Sequence, residues 1–388
     1  MRITLALGPF MPVPPVLGGA VEKVHLLLAG VYRAAGHEVT IVSRRYKDFA
    51  HEETVDGIRH IRVASFDRAS SLAVNLLRDF RYALHVARSL PQSDITVTNS
   101  FALPLVLPRT RAGLIYVQVG RFPKHQMFLY SGADRLQAVS TAVAEAIARQ
   151  APWLKRKLTV IGYAISDAYF HAPAPRPPTV LFVGRIAREK GIELLIEACI
   201  ALAAERASTL PGDWTLRIVG PHDIVQGGDG PAYLDELKAL AAPLGPRCQF
   251  VGPVFDQEAL IREYRRAAIF VYPSLAEKGE SFGLAPLEAM AAGCAAVVSN
   301  LRCFDDFIEH DVSGLKFDHR GHDAARGLAA QLARLLGEPA LLQKIADAGH
   351  RSAHRFQASA IGARMLDDFA SLLADHAAQP GSSPPRQR

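Results

Sequence analysis

The chain has 388 residues, 49% of them hydrophobic and 21% charged, a length that predicts two or three domains and a composition typical of a globular protein with an ample core. No apolar run approaches the roughly 20 residues that span a bilayer, and the proline-interrupted N-terminus predicts a first strand instead of a signal peptide. These features exclude a membrane-spanning protein, and we expect a cytoplasmic one.

The net charge of +6 is unevenly distributed along the chain. Residues 1–170 hold 21 Lys and Arg against 12 Asp and Glu, whereas residues 171–388 hold 23 against 26. A basic half can face an anionic membrane surface or a phosphorylated acceptor, and an ordinary solvated surface fits nearly as well. Nucleic acid is not an expected partner, because the sequence has no zinc finger, helix-turn-helix charge pattern or interleaved aromatic-basic strand.

The cysteines give no sign of a metal site. They form no C-x-x-C pair and no zinc-like cluster with histidine, and they are Cys199, Cys248, Cys294 and Cys303. Buried, reduced thiols in a reducing compartment are therefore predicted.

The first half of the chain alternates strands with helices. Strand 2–7, the Gly18-Gly19 loop, helix 20–35 and strand 38–43 form its opening unit, in which the two glycines serve either a close approach of backbone to a ligand or a tight turn. Further strands are predicted at 58–64, 94–98, 114–119, 136–139 and 157–161, and a helix capped by Ser140 or Thr141 at 141–150.

A helix predicted at 70–90 carries two stripes. The apolar stripe is Leu72, Leu76, Phe80, Leu84 and Ala87, and the basic stripe on another face is Arg78, Arg81, His85 and Arg88. A basic stripe beside an apolar one can lie on a membrane. A surface helix of an ordinary α/β domain is the more frequent interpretation of the same pattern.

The second half repeats the alternation after a proline-rich segment, 171–178, which is predicted as an interdomain linker. Strands are predicted at 179–183, 214–219, 249–252, 268–272 and 295–299, with helices at 191–205, 232–242, 257–266, 322–336 and 339–350. Two doubly wound parallel sheets are expected, with ligand at the carboxyl ends of the strands in a cleft between the domains. The predicted domains are 1–170 and 179–354, followed by a helix, 355–376, that packs back towards the N-terminal domain and a disordered tail, 377–388.

Two stretches of the second half carry the candidate chemistry. Gly184-Arg185 follows strand 179–183 directly, and Arg185 with Lys190 can clamp a diphosphate or can belong to an ordinary solvated helix start. In residues 273–300, Glu280 and Glu288 bracket a Ser-Phe-Gly turn where a helix begins. A helix N-terminus attracts phosphate, and carboxylates accept hydrogen bonds from hydroxyl groups, so the combination suggests a sugar nucleotide.

These motifs together resemble a known family. GRIAREKG, followed about ninety residues later by PSLAEKGESFGLAPLEAMAAG, resembles the C-terminal domain of the retaining glycosyltransferases of family 4, whose signature includes two Glu separated by seven residues. The resemblance implies the GT-B architecture, an α/β fold of two doubly wound Rossmann-like domains that face each other across a cleft. It also implies an enzyme that moves a sugar from a nucleotide-diphosphate donor, a UDP-sugar or alternatively GDP-mannose, to a hydroxyl group of a glycan or lipid-linked acceptor in bacterial-type polysaccharide or glycolipid assembly.

The resemblance also implies roles for individual residues. Arg185 and Lys190 would bind the donor diphosphate and stabilise its departure, Glu280 would contact hydroxyls of the sugar, and Glu288 would accept from the ribose. Further donor contacts are implied for Gly18, Gly19, Gly184 and the backbone of Ser281, Phe282, Gly283 and Leu284. No metal or other cofactor is expected, because two cations can stabilise the leaving group and the chain has no Asp-x-Asp pair.

Departures from the family pattern lie mainly on the acceptor side. Gln118 stands where members often have His, and Gln cannot titrate, so Gln118 and the nearby Arg121 are acceptor-side candidates without an acid-base role. The segments 162–165 and 301–305 also differ from the usual motifs, which leaves the identities of sugar and acceptor open. Work at the inner face of the cytoplasmic membrane is a further expectation, from the basic N-terminal half.

Three other functions fit parts of the sequence. A nucleotide-sugar epimerase and a non-catalytic sugar-nucleotide-binding protein would use the same donor site. Gly279 to Gly283 also matches G-x-S-x-G, the nucleophile elbow of serine hydrolases, with Asp305, Asp306, His310 and His322 following. The elbow needs Ser281 on a sharp turn directly after a strand, whereas residues 273–278 intervene, and a hydrolase would leave Arg185, Lys190 and Glu288 without a role.

Overall fold

The computed structural model describes residues 1–17, 19–67, 69–204 and 210–378. The chain divides into two compact units. The first comprises Met1–Ala164 together with the chain from Ala358 onward, and the second comprises Ile165–Gln357. The division therefore lies before the segment 171–178 that was predicted as the linker.

The first unit is built on an eight-stranded sheet in the order β3-β4-β2-β1-β5-β6-β7-β8. All neighbouring strands are parallel except the β3–β4 pair. The strands are β1 Arg2–Ala6, β2 Glu38–Arg44, β3 Glu52–Val55, β4 Ile58–Val63, β5 Ile95–Thr98, β6 Leu114–Val119, β7 Arg135–Ala138 and β8 Leu158–Val160. The helices are α1 Ala20–Ala34, α2 Leu72–Ser89, α3 Leu103–Val106, α4 Arg109–Ala112, α5 Thr141–Gln150 and, from the end of the chain, α12 Ala358–Ala377.

Strand β3 is one of the elements of this unit that periodicity did not predict, together with the short helices α3 and α4. It is a short antiparallel edge strand, and its residues are mostly exposed because only one strand pairs with it. Asp56 and Gly57, both with positive φ, make the turn into β4. Asp-Gly before an alternating strand is a hairpin signal, so this strand had a readable signature.

The orientation of α2 differs from the simple expectation that its apolar stripe is its buried face. Asp79, Tyr82, Ala83 and Val86 are buried, while Leu72, Leu76 and Phe80 are exposed. The Asp79 carboxylate accepts hydrogen bonds from the Ser100 hydroxyl at 3.0 Å and from the Ala102 amide at 2.8 Å. These tertiary hydrogen bonds hold Asp79 inward, and they turn the apolar stripe out.

The second unit is built on a parallel six-stranded sheet in the order β11-β10-β9-β12-β13-β14. Its strands are β9 Thr179–Val183, β10 Thr215–Val219, β11 Cys248–Gly252, β12 Ile269–Tyr272, β13 Ala295–Ser299 and β14 Leu315–Phe317. Its helices are α6 Ile192–Ala204, α7 Gly230–Leu240, α8 Gln257–Arg266, α9 Leu284–Ala291, α10 Ala324–Gly337 and α11 Pro339–Ala353. The chain builds outward from β9 to β11 and then returns to the other side of β9 with β12, so the direction of winding reverses between β9 and β12. Open α/β sheets bind ligands at such a point.

The segment 171–178 is packed on the second unit through Arg176. Its guanidinium donates to the carbonyl oxygens of Tyr264 at 3.2 Å and Ala267 at 3.0 Å, and it also contacts the carbonyl of Ala292. These three carbonyls terminate helices or precede strands of the second unit. The side chain of Arg176 therefore attaches the proline-rich segment to that unit.

Helix α12 belongs to the first unit, and it corresponds to the helix predicted at 355–376. Phe369 packs edge-on against Tyr32 and Tyr116, with ring centroids 5.8 Å and 4.9 Å away. Asp368 accepts from the Tyr116 hydroxyl at 2.8 Å and pairs with Arg135 at 3.1 Å. Of the tail predicted to be disordered, residues 379–388 lie outside the described residues.

Two further observations concern the chain as a whole. All four cysteines are free thiols, and Cys199, Cys294 and Cys303 are buried. In the described ranges, no helix is both long enough and apolar enough to cross a bilayer.

Candidate active site

The site lies at the carboxyl ends of β9 and β12, and its centre is an ion pair. Lys190 follows β9, and Glu280 lies in the loop that follows β12. The Nζ atom of Lys190 is 2.7 Å from Oε2 of Glu280, and their side chains are only 8% and 11% exposed. The structure thus brings together two residues that are ninety positions apart and that sequence patterns had assigned to one site.

Tyr272, the last residue of β12, lies beside this ion pair. Lys190 Nζ lies 5.2 Å from the centre of the tyrosine ring, a cation–π distance, and the Tyr272 side chain lies next to Glu280. Burial raises the pKa of Tyr272 well above its usual value, the negative charge of Glu280 raises it further, and Arg185 opposes both effects. The tyrosine therefore stays protonated beside the Glu280 carboxylate.

A close backbone contact explains why Lys190 and Glu280 meet. Gly191 has φ of 67°, and a Cβ atom at that position would lie 2.1 Å from the carbonyl oxygen of Pro273. The Leu275 amide donates to the Glu189 carbonyl at 2.8 Å across the same contact. Only glycine permits this approach, so the turn that carries Lys190 packs directly on the loop that carries Glu280.

Arg185 lies beside the pair with its guanidinium partly exposed. It forms an ion pair with Glu189 at 2.7 Å and donates to the carbonyl oxygen of Gly227. Gly227 belongs to the loop 221–230, which follows β10, so this loop borders the site from the neighbouring strand. The Arg185 side chain is 42% exposed, and it presents its remaining N–H groups to solvent at the strand ends.

Helix α9 begins next to these residues. Gly283 is its N-cap with φ of 93°, and a Cβ atom there would lie 2.5 Å from the ring of Phe304. Phe282 is 1% exposed and packs on Phe307 and Phe356, with ring centroids 5.5 Å and 5.7 Å away. The Phe282 side chain therefore belongs to the core, and its predicted donor contact can come only from its backbone. Ser281 and Leu284 are half-buried.

Glu288, on α9, lies beside two tyrosines. The Tyr264 hydroxyl donates to its Oε2 atom at 2.9 Å, and Tyr169 is near enough for the charge of Glu288 to act on its phenol. Burial raises the pKa of both phenols, and the charge of Glu288 adds to the effect. A carboxylate has about four acceptor positions, so Glu288 can accept from a ligand hydroxyl while Tyr264 orients it.

Of the remaining predicted site residues, Gly184 directly follows β9 in the second unit, and Gly18 is outside the described residues. The first unit holds Gly19, Gln118 and Arg121. Gly19 is the N-cap of α1. Gln118 is 3% exposed and donates to Gln137 at 3.3 Å, and its own Oε1 atom is buried without a hydrogen-bond partner in the described part of the chain. Arg121 is exposed and lies near Glu22, which is in the first turn of α1. Burial raises the pKa of Glu22, and the positive charge of Arg121 lowers it.

Comparison with known proteins identifies the second unit. Residues 168–352 match the family of glycosyl transferases group 1. This segment is a group 1 glycosyltransferase domain. Lys190, Glu280 and Glu288 all lie within it, as does Arg185.

Curated proteins that are similar to part of the chain include two bacterial glycosyltransferases. The chain is 31% identical over 254 residues to a D-inositol 3-phosphate glycosyltransferase of Thermobispora bispora, an alignment that covers 62% of this chain and 56% of that protein. It is 29% identical over 290 residues to the lipopolysaccharide core biosynthesis mannosyltransferase LpcC of Rhizobium leguminosarum bv. viciae, which covers 68% of this chain and 76% of that protein. The chain thus spans little more than half the length of the first relative.

Solved structures share the fold over nearly the whole chain. A sucrose-phosphate synthase from Thermosynechococcus elongatus superposes with a TM-score of 0.77 at 21% identity, and the alignment covers 97% of this chain and 100% of that one. HepE of Anabaena in complex with UDP and glucose superposes with a TM-score of 0.72 at 17% identity over 96% of this chain and 100% of that one. The fold of the chain is GT-B, as the family resemblance implied.

Three tyrosines of the group 1 domain were not predicted as site residues. Tyr272 had a readable signal, because it is the last residue of a buried strand and side chains at that position point to the ligand edge of a parallel sheet. Tyr264 and Tyr169 had none, because their contacts with Glu288 join α8 and a 3₁₀ turn at 167–169 to α9. Only the tertiary structure brings those three elements together.

The group 1 domain does not present Ser281 as a nucleophile elbow. Residues 273–280 separate Ser281 from the end of β12, so the serine is not on a turn directly after a strand. His310 accepts the Lys316 amide at 2.9 Å through Nδ1, and Asp305 pairs with Lys316 at 2.5 Å. The structure therefore gives the hydrolase interpretation no support. In the described ranges no group of three or more His, Cys, Asp or Glu residues is placed to hold a metal ion.

Proposed function

We propose that the protein is a retaining glycosyltransferase that moves a hexose-type sugar from a nucleotide-diphosphate donor to a hydroxyl group of an acceptor. The observation that carries this proposal is the buried Lys190–Glu280 pair beside Arg185, at the point where the sheet of a group 1 domain reverses its winding. Cations that can bind a diphosphate and carboxylates that can bind sugar hydroxyls lie together at the carboxyl ends of neighbouring strands.

The reaction breaks the bond between the anomeric carbon and the leaving phosphate oxygen, and it forms a bond from that carbon to the acceptor oxygen. Negative charge develops on the departing diphosphate, so fixed cations next to it lower the barrier. Arg185 supplies a planar fork and Lys190 a point charge. The acceptor proton passes to a leaving-phosphate oxygen on the same face, which relieves the protein of supplying a strong base and retains the anomeric configuration.

The two cations must exchange or share their partners when the donor binds. The diphosphate competes with Glu189 and the Gly227 carbonyl for Arg185, and it shares Lys190 with Glu280. Lys190 has three N–H donors, so it can keep Glu280 while it contacts phosphate. Glu280 is then fixed beside the leaving group, where it accepts from sugar hydroxyls, and Glu288 accepts from the ribose.

The donor is proposed to be a UDP-sugar, with GDP-mannose as the alternative. HepE of Anabaena has been solved with UDP and with UDP-glucose, which supports a uridine nucleotide. The relative LpcC is named a mannosyltransferase, which supports the alternative. The nucleotide sugar is a substrate in this scheme, and no metal is required because Arg185 and Lys190 supply the positive charge.

The acceptor is proposed to be a glycan or a lipid-linked glycan of bacterial-type polysaccharide or glycolipid assembly, used in the cytoplasm at the inner face of the membrane. The excess of basic residues in the first 170 positions supports a partner with negative charge. Arg121, exposed near the buried Glu22, is the proposed acceptor-side contact in the first unit, and the buried Gln118 is the second acceptor-side candidate.

Ligand-induced thermal stabilisation tests the donor. A panel of UDP-, GDP- and ADP-sugars is added to the purified protein, and the one that binds the folded state raises the melting temperature by linkage. A UDP-sugar is expected to give the largest rise. No rise with any nucleotide sugar, at concentrations up to millimolar, would contradict a donor site.

Two substitutions test the roles of the glutamates. Glu288→Ala is expected to weaken nucleotide binding, while Glu280→Ala is expected to spare binding and to lower the rate of transfer. Glu258→Ala is the matched control, since its side chain is on α8 of the same unit and is 87% exposed. Full activity in both site variants would refute the assignment. Conversion of donor without acceptor would favour the epimerase, and binding without any turnover would favour the non-catalytic protein.

A further inference from the structure

Helix α2 exposes a row of large apolar side chains. Leu72 is 74% exposed, Leu76 41%, Leu77 61% and Phe80 44%, although isolated exposed apolar residues are the norm on a protein surface. All four lie on the first half of one helix. Leu105 on α3, which packs against α2, is also 44% exposed.

These side chains do not belong to the face by which α2 packs on its unit. That face is Asp79, Tyr82, Ala83 and Val86. The hydrogen bonds of Asp79 to Ser100 and Ala102 hold the helix in this orientation. The row therefore stays outward in the folded unit, and its water-exposed apolar surface lacks a packing partner within the described residues.

A basic arc runs beside the apolar row. At about 100° per residue, Leu76, Leu77 and Phe80 project over one arc of the helix, and the neighbouring arc carries Arg78, Arg81 and Arg88. Arg78 donates to the Asp67 carbonyl, and Arg81 lies over the Phe66 ring at 5.8 Å. Neither arginine is in an ion pair with another described residue. The single acidic residue of α2, Asp79, is buried on the opposite face.

We infer that this surface, the apolar–basic face of α2, docks on an anionic lipid bilayer. The face consists of Leu72, Leu76, Leu77, Phe80, Arg78, Arg81 and Arg88. Apolar side chains can enter the boundary of the acyl chains while the arginines stay among the lipid phosphates, which is how interfacial amphipathic helices bind. Charge complementarity favours an anionic bilayer as the binding partner, because the negative lipid phosphates can pair with the positive arginines.

A second copy of the chain is the less suitable occupant. A two-fold contact brings the same surface of both copies together, so the arginines of one α2 would face those of the other without acidic partners on the helix. One helix face is also small against the roughly 1,200 Å² or more that a stable interface buries. Both considerations favour the bilayer.

The contact with lipid depends on α2 alone, whereas its use in bringing a lipid-linked acceptor to the enzyme rests on the proposed function. Residue 72 follows β4 by a short loop, so the start of α2 lies at the carboxyl-end side of the first unit's sheet. That is the edge where α/β sheets place their ligands. A bilayer bound there would lie close to the acceptor side of the first unit.

Co-sedimentation with vesicles tests the inference. The full chain, without nucleotide or acceptor, is mixed with phosphatidylglycerol-containing vesicles and, separately, with pure phosphatidylcholine vesicles. We expect binding to the first and at least tenfold weaker binding to the second. The double variant Leu77→Glu/Phe80→Glu should bind anionic vesicles at least tenfold more weakly, and Arg81→Glu/Arg88→Glu should do the same.

Ile224→Glu/Val225→Glu is the matched control for the Leu77/Phe80 variant, because these two residues are 74% and 97% exposed in the second unit and the pair receives the same change of charge. It should bind like the parent. Parental binding by the Leu77/Phe80 variant, or absence of binding by the parent, would overturn the inference. So would a loss of a dimer in the Leu77/Phe80 variant, which would assign the face to a second copy. Retained stabilisation by nucleotide sugars would show that the proposed donor site survives such a failure.

Discussion

Lys190 and Glu280 illustrate how a buried charge depends on its partner. Their side chains are 8% and 11% exposed and 2.7 Å apart. Removing one member of such a pair leaves an uncompensated charge in a poorly solvated position, which costs about 3–5 kcal/mol. Replacing both with apolar residues removes the two desolvation costs together.

We therefore predict strong coupling between these positions. Lys190→Met and Glu280→Leu should each lower the free energy of unfolding by about 3 kcal/mol, and the double variant should lose much less than the sum. Urea unfolding of the four proteins gives the coupling energy. Additive losses would show that the two side chains do not depend on each other in the folded protein.

His25 gives the first unit a dependence on pH. It is fully buried on α1, its Nδ1 atom donates to the Val21 carbonyl at 2.8 Å, and its Nε2 atom has no hydrogen-bond partner in the described residues. Burial lowers the pKa of His25 from 6.5 to about 4. The folded protein thus keeps this histidine neutral at pH values where the unfolded chain protonates it.

The sign of the effect follows from proton binding. Between about pH 6.5 and about 4 the unfolded state binds the additional proton, so stability is complete above this window and falls as the pH drops through it. The full loss is about 3 kcal/mol, from 1.36 kcal/mol per pKa unit. Unfolding measured at steps from pH 7 to 4 should show a flatter profile for His25→Leu than for the parent. Exposed His51 gives the control, His51→Leu, whose profile should follow the parent; equal slopes in all three would contradict the prediction.

At the scale of elements, the contact between α12 and α1 is close enough to be tested with a single methyl group. A Cβ atom on Gly362 would lie 2.4 Å from Cγ1 of Val31, whereas one on Gly30, in α1, would meet no atom within 4 Å. Gly362→Ala should therefore destabilise the protein by about 1–3 kcal/mol through overpacking. Gly30→Ala should stabilise it by about 0.5–1 kcal/mol, since alanine favours a helix.

Thermal unfolding of both variants gives the comparison. Both exchange a helical glycine for alanine in the same unit, so the difference in helix propensity cancels between them. A stabilising Gly362→Ala would mean that α12 does not pack on α1 as the structure shows.

Elements with a strong local signal could be predicted from sequence. The strands β9 and β13 and the helix α8 have the predicted bounds, because each is an apolar run or a periodic segment closed by glycine, proline or a capping residue. Asp256 caps α8 by accepting the Ala259 amide at 2.8 Å, and Ser140 caps α5 in the same way. Such signals act within a few residues and need no tertiary contact.

The burial of α2 could not be predicted in the same way. Leu72, Leu76 and Phe80 repeat with the same helical period as the face that is buried, so spacing alone does not choose between the two. Hydrogen bonds that Asp79 accepts from residues more than twenty positions away determine which face of α2 is buried. Similarly, a motif predicts the four charged residues proposed for the donor site, whereas Tyr264 and Tyr169 are near Glu288 only because of the fold.

At the scale of the whole molecule, the chain crosses between its two units twice, at 164/165 and at 357/358. Each unit has its own sheet and its own core. Proteins of more than one domain commonly unfold in more than one step. The donor site proposed for Arg185, Lys190, Glu280 and Glu288 lies in the second unit, whereas α12 and α1 lie in the first.

We predict that calorimetry resolves two transitions that respond to different perturbations. Gly362→Ala should lower only the transition of the first unit, by about 2–4 °C for each kcal/mol lost. UDP at about 100 times its dissociation constant should stabilise the second unit by about 2.7 kcal/mol, and it should therefore raise only the other transition, by roughly 5–10 °C. In the Lys190→Met variant, UDP should raise the transition temperature of the second unit by less, while Gly362→Ala should still lower the transition temperature of the first unit. A single transition that moves with both perturbations would contradict this prediction, since it would show that the two units unfold as one cooperative body.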